Sequence, residues 1–211
     1  MTKHNANVEV AKGGEIDVLF MGDSITDFWR NNGRDGATGE GAPFAGKPVF
    51  DKYFGEMKVA NFGIAGDTTQ GVLWRLENGE GEGVRPKVIM LMIGTNNTSA
   101  KNTATEIAMG VAADVFELRK DFPNAKILLL GIFPRSTPGS PVRAQLAEIN
   151  QMISALNDNN HITYLDIGSK FLAEDRSIPK DVMSDGLHPT TKGYEIWAEA
   201  VKEPLTSLMK E

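Results

Sequence analysis

The sequence predicts an α/β fold in which a parallel sheet is covered by helices on both faces. Three observations predict it. Five short apolar runs, at 18–21, 59–62, 88–93, 126–131 and 162–165, alternate with stretches of helical periodicity. The first three runs stop on clusters of Gly, Ser or Asn: Gly22-Asp23-Ser24, Gly63-Ile64-Ala65-Gly66 and Gly94-Thr95-Asn96-Asn97. In an open parallel sheet, strand ends are where reactive side chains gather. The chain has 211 residues, 41% of them hydrophobic, which suits a single domain, 1–211, with a sizeable core. The nucleophile elbow G-x-S-x-G is absent, which excludes the common α/β-hydrolase pattern.

Residues 1–16 read as a polar tail that contains His4. The run at 18–21, bounded by Asp17 and Gly22, has the length of a buried strand. Ser24 follows it by two positions, and residues 25–30 can begin a helix whose N-terminal amides face the reaction site. Phe28 and Trp29 fit either pocket lining or core packing. The glycine-rich insertion at 31–47 has loop composition. Within it, Gly41 to Lys47 imitates a phosphate-binding loop, but Pro48 stands where Ser or Thr should bind magnesium and no strand precedes it.

Residues 68–76 read as a helix closed by Asn78-Gly79, with Arg75 as a structural hydrogen-bonder, since acyl transfer needs no guanidinium. Thr103 and Glu106 form a capping box ahead of a helix whose buried face is Ile107, Val111, Val115 and Leu118. Ser140 as N-cap and Pro141 open the next helix, whose core stripe is Val142, Leu146, Ile149, Ile153 and Leu156. The last helix presents Tyr194, Trp197 and Val201 on one face, and Pro204 is expected to bend or interrupt it.

A serine at a strand end becomes a nucleophile only when a base takes its proton. Of the three histidines, His161 starts the fifth strand and His4 lies in the tail. Only His188 sits in a turn with a carboxylate, Asp185, three positions before it. Asp166, at the end of the fifth strand, is a weaker rival, and Asp23 suits a turn or helix cap better than a base.

The segments GDSIT at 22–26, NFGIAGDTT at 61–69, GTNN at 94–97 and DGLHPT at 185–190 resemble, in order, blocks I, II, III and V of the SGNH (GDSL-type) hydrolases. NFGIAGDTTQGVLWRLENGE and GTNN are most similar to the catalytic subunits of intracellular platelet-activating-factor acetylhydrolase and their bacterial esterase relatives. Asn97 departs from the commoner family pattern, which has Asp, and the insertion at 31–47 leaves the pocket wall undefined.

The resemblance implies a three-layer α/β/α, flavodoxin-like fold with five parallel strands ordered 2-1-3-4-5. It also implies that Ser24 is the nucleophile, His188 the base and Asp185 its orienting partner, with an oxyanion hole formed by the N–H groups of Ser24 and Gly66 and the side chain of Asn96. Gly66 suits that role if the backbone must come close without a Cβ. The expected activity is hydrolysis of short, acetyl-type esters of an alcohol, aryl or carbohydrate group. A lysophospholipase or thioesterase and a non-catalytic carbohydrate-binding protein are the alternatives. No cofactor and no metal are expected. The small, polar strand-end residues offer no bed for a long acyl chain, and Phe28, Trp29, Ile132 and Phe133 are the nearest apolar candidates.

The net charge of -6 argues against nucleic acid as a partner, leaving a small ester substrate and allowing a homodimer. No run is long enough to span a membrane, and residues 1–16 lack a signal-peptide core, so the expected location is cytoplasmic unless a leader was removed.

Overall fold

The structure is a computed structural model that describes residues 2–31 and 44–210. Five strands form one sheet: β1 (Val18–Gly22), β2 (Val59–Asn61), β3 (Val88–Met92), β4 (Lys126–Leu130) and β5 (Ile162–Leu165). Their order is β2-β1-β3-β4-β5 and every pairing is parallel, in agreement with the expected topology. Every residue of β1 and β3 is buried, so these strands read as continuous apolar runs rather than alternating ones.

Alternate strand residues feed two cores. Leu19, Met21, Ile89, Leu91, Ile127 and Leu129 pack with Val72 and Leu76 of α4 (Thr69–Glu77), the 107/111/115/118 face of α6 (Ala104–Asp121), and Leu146, Ile149 and Ile153 of α7 (Pro141–Ser154). Val18, Phe20, Val88, Met90, Leu128 and Leu130 face the other way, onto Trp29, onto Val49 and Phe54 of α3 (Lys47–Phe54), and onto Tyr194, Trp197 and Val201 of α8 (Thr191–Leu208). The result is the expected three layers. The remaining helices are α1 (Thr2–Lys12), α2 (Ser24–Asp27), α5 (Thr95–Ser99) and two short 3-10 turns, Phe28–Arg30 and Gly168–Phe171. Among the described residues, no helix is long and apolar enough to cross a membrane.

Several local expectations are corrected. The supposed polar tail is helix α1, whose inward residues are His4, Asn7 and Ala11. Their helical spacing is invisible to a hydropathy scan because two of the three are polar. Pro204 does not interrupt α8, because Val201, Leu205 and Leu208 bury both halves of the helix in the same core. Ser140 does occupy the N-cap of α7, but its side chain caps nothing. The Thr103–Glu106 capping box is present as expected. Most of the glycine-rich insertion, 32–43, lies outside the described residues, as does the start of the phosphate-loop imitation. Lys47 opens α3 and pairs with Asp51 over 2.5 Å.

Candidate active site

The C-terminal ends of β1, β2 and β3 converge with the turn that precedes α8. Gly22 ends β1 where a Cβ would lie 2.3 Å from Thr26 Oγ1 and 2.4 Å from the Met92 carbonyl, so only glycine lets the chain turn there. Asp23 then caps α2, with Oδ1 accepting from the Ile25 amide over 2.9 Å. Burial pushes the Asp23 carboxyl up to about 7, against the pull of that amide. Ser24 is the first residue of α2, so its N–H has no partner within the helix.

Ser24 Oγ lies 2.9 Å from His188 Nε2, although the two residues are 164 positions apart. On the other side of the ring, Nδ1 lies 2.7 Å from Asp185 Oδ2. Asp185 Oδ1 also accepts the backbone N–H groups of Leu187 and His188, at 2.9 and 2.8 Å. Burial works to raise the Asp185 carboxyl, but the hydrogen bonds from the His188 ring and these amides outweigh it and hold the group below the usual carboxylate range. A carboxylate can only accept, so Nδ1 carries the proton and Nε2 turns its lone pair to the serine hydroxyl. The structure thus brings Ser24, His188 and Asp185 together. Asp166 is not part of this group: its Oδ1 accepts from Gly168 N over 2.8 Å. His161 precedes β5, and His4 bonds Glu80 through Nδ1 at 2.9 Å.

The loop between β2 and α4 runs along the same edge. Ile64 N donates to Gly22 O over 3.0 Å, and Ala65 N donates to Asp27 Oδ2 over 3.0 Å. Arg30 Nη2 reaches Gly63 O at 2.6 Å, and Asn61 bridges Thr26 O and Gly63 N. Asp27 also pairs with Lys3 of α1. Gly66 has φ +84°, in the left-handed region, and a Cβ there would meet nothing within 4 Å. Glycine is therefore required by the backbone angle, rather than by the close approach expected from the sequence.

Asn96, in α5, donates from Nδ2 to Asp67 O over 2.7 Å, which uses one of the two N–H bonds of that amide. Its neighbour Asn97 is buried and structural: Oδ1 accepts from Thr69 N at 3.1 Å and Nδ2 donates to Gln70 Oε1 at 2.9 Å. Arg75 is buried as a hydrogen-bonder, as expected.

Of the apolar residues expected near the pocket, Trp29, Ile132 and Phe133 are core residues, 0%, 2% and 2% exposed. Phe28 is half-buried against His188, with ring centroids 5.0 Å apart. Phe44 also meets His188, edge-on at 5.4 Å. No signal in the sequence singled out Phe44, since it sits in glycine-rich surroundings.

A parallel α/β/α sheet with a serine, histidine and aspartate in contact at its strand ends has the arrangement of the SGNH hydrolase class. Residues 20–196 match the profile of the GDSL-like Lipase/Acylhydrolase family, and the chain belongs to that family. Its members' chemistry makes this protein a carboxylic ester hydrolase. The chain is 36% identical over 212 residues to "Platelet-activating factor acetylhydrolase IB subunit alpha2" of Rattus norvegicus, covering 100% of this chain and 85% of that subunit. The alpha1 subunit of the same organism is 32% identical, with 100% and 84% covered. Among solved structures, an acetylxylan esterase mutant from Geobacillus stearothermophilus shares the fold at a TM-score of 0.66 and 22% identity, over 91% of this chain and 94% of that one. A GDSL-like lipase from Bacteroides thetaiotaomicron does so at 0.67 and 21%, over 98% and 95%.

Proposed function

We propose that Ser24 is the nucleophile of an esterase for short, acetyl-type acyl groups. The observation that carries this reading is the 2.9 Å contact of Ser24 Oγ with His188 Nε2, backed by the 2.7 Å contact of His188 Nδ1 with Asp185. Ser24 Oγ attacks the ester carbonyl carbon while its proton passes to His188 Nε2. The carbonyl electron pair moves onto oxygen, which accepts hydrogen bonds from the N–H groups of Ser24 and Gly66 and the free N–H of Asn96. Collapse of this intermediate breaks the bond to the alcohol, which leaves with the proton from His188. Water, deprotonated in turn by His188, then releases the acid and restores Ser24.

Because His188 must protonate the leaving oxygen, the alcohol portion lies against the imidazole. Phe28 and Phe44 flank that ring, which supports an aryl, sugar or glyceryl alcohol with an apolar face. Gly66 and Asn96, the residues assigned to the oxyanion hole beside Ser24, are small or polar and offer no apolar bed for a long acyl chain. The acetylhydrolase name of the 36% identical relatives points the same way.

The test is a series of p-nitrophenyl esters with the parent and Ser24→Ala, alongside fluorophosphonate labelling. Acetyl to butyryl esters are expected to be cleaved far faster than octanoyl, with label and activity both lost in Ser24→Ala. Activity within tenfold of the parent removes Ser24 as nucleophile. A kcat/KM that climbs steadily to decanoyl replaces the short-acyl reading with the lysophospholipase or thioesterase one, since each buried methylene contributes about 0.8 kcal/mol.

A further inference from the structure

The loop that carries Gly66 is held at both ends by one side chain from the helix that follows it. Arg75 of α4 donates from Nη1 to Phe62 O over 3.0 Å, where the loop leaves β2. Its Nε donates to Asp67 Oδ2 over 2.9 Å, one residue past Gly66, with Nη2 the same distance from that oxygen. Asp67 is also the residue whose carbonyl holds Asn96 Nδ2 at 2.7 Å. One guanidinium therefore fixes the segment of Gly66 and, through the Asp67 backbone, the orientation of the Asn96 amide.

Behind Arg75 stands a second buried layer. Nη1 also contacts Glu80, which is 0% exposed, and Glu80 Oε2 lies 2.9 Å from His4 Nδ1 on α1. Asp114 of α6 faces the same charge, and neither of its carboxylate oxygens has a hydrogen-bond partner. The Arg75 side chain is itself 4% exposed. Desolvation consumes most of what such a buried ion pair gains, so stability alone gives little reason for charged groups here. A planar fork that spans two acceptors in fixed directions has a geometric use that an apolar side chain, or a lysine, cannot supply.

We propose that Arg75 is a positioning residue for transition-state stabilisation, acting through Asp67 to set the Gly66 N–H and the Asn96 amide. This rests on the reading of those two groups as oxyanion donors. A misplacement of ~1 Å at such a site can cost about 10²-fold in rate. Arg75 would then affect the chemical step and leave substrate affinity largely alone.

The test is a double-mutant cycle in the full chain: Arg75→Lys, Asn96→Ala and the pair, with kcat, KM and Tm measured for each. Arg75→Lys is expected to lower kcat about 10- to 100-fold with KM within about twofold. In the Asn96→Ala background the same change is expected to cost at least threefold less, because one of the donors it positions is gone. A merely structural role would give losses that multiply in full, and that result overturns the proposal. So does a kcat for Arg75→Lys within twofold of the parent when Asn96→Ala is strongly impaired. If Asn96→Ala itself retains full kcat, the donor assignment fails, whatever Arg75→Lys does. Should Arg75→Lys not fold, Asp67→Asn tests the same link by weakening the carboxylate end while retaining the Asp67 carbonyl. It is expected to lower kcat with KM unchanged, and an unchanged kcat overturns the proposal.

Discussion

Two neighbouring asparagines, identical in chemistry and adjacent in sequence, are expected to fail in opposite ways when truncated. Asn96→Ala removes the candidate oxyanion donor and, with it, a single hydrogen bond to a carbonyl at a half-buried site. Loss of one oxyanion donor costs about 10²–10³ in kcat, or ~2.7–4 kcal/mol in the transition state, with little change in KM. The folded state gives up about 1 kcal/mol or less. Asn97→Ala removes a fully buried amide that accepts from Thr69 N and donates to Gln70 Oε1, at 3.1 and 2.9 Å. The Thr69 amide, on a residue 1% exposed, is left without a partner at the start of α4. An orphaned buried group of this kind costs about 1–3 kcal/mol. For a chain of this size 2 kcal/mol lowers Tm by roughly 4–8 °C. Steady-state kinetics on p-nitrophenyl acetate and thermal unfolding followed by circular dichroism, on both variants, read the two quantities separately. Asn96→Ala should lose rate and keep Tm; Asn97→Ala should lose Tm and keep most of its rate. The opposite pairing would mean that Asn97 faces the reacting ester, and the reasoning from the Asp67 and Thr69 contacts would be refuted.

The rate is expected to rise with pH, because the proposed mechanism needs the imidazole of His188 unprotonated. Asp185 does not contribute to this limb, since its carboxyl is held below the usual range and stays ionised as the imidazole takes its proton. Asp23, pushed up to about 7, is a second group whose ionisation would give such a rise, and Asp23→Asn keeps the helix cap while removing that titration. A rising limb that vanishes in Asp23→Asn would tell against a histidine base. For Asp114, burial pushes the carboxyl up to about 9, above its unfolded value of ~3.9, so it folds protonated and unfolding at neutral pH releases a proton. The stability it contributes is complete below its unfolded pKa and is lost as pH rises toward the folded one. Asp114→Asn should therefore match the parent near pH 4 and exceed it in Tm by a margin that grows toward pH 9; a constant margin would show that Asp114 is ionised in the folded protein.

Strands β1 and β3 were legible because burial on both faces leaves nothing polar in them: 18–21 and 88–93 could hardly be anything else once bounded by Asp17 and Pro86-Lys87. Ser24, His188 and Asp185 were legible because their types and strand-end or turn positions suit acyl transfer, and the structure sets them in contact. Helix α1 was hidden for the converse reason. It docks through Lys3 to Asp27 and His4 to Glu80, so polar contacts replace the apolar stripe that a hydropathy pattern reads. Gly66 was expected to be glycine for close approach, whereas its φ of +84° is what requires it, since a backbone angle leaves no mark in a sequence and space around a Cβ leaves none either. Phe44 escaped notice because its neighbours carry no periodicity, and its partner His188 lies far along the chain.

The candidate site joins the beginning of the chain to its end. Ser24 follows the first strand and His188 precedes the last helix, and that helix is tied back by the Tyr194 hydroxyl, which donates to Ile25 O over 2.7 Å across 169 positions. Contacts of such sequence separation form late, because the loops they close must first give up their freedom. A nascent chain released before residue 188 has the proposed nucleophile without its proposed base. During refolding, helical signal should return before reactivity toward a fluorophosphonate, and the interval between them measures how long the molecule remains folded in its parts but not as a whole. On the proposed assignment, hydrolysis by this protein is an assay of its own completion, since it begins only when the segments of Ser24 and His188 have met.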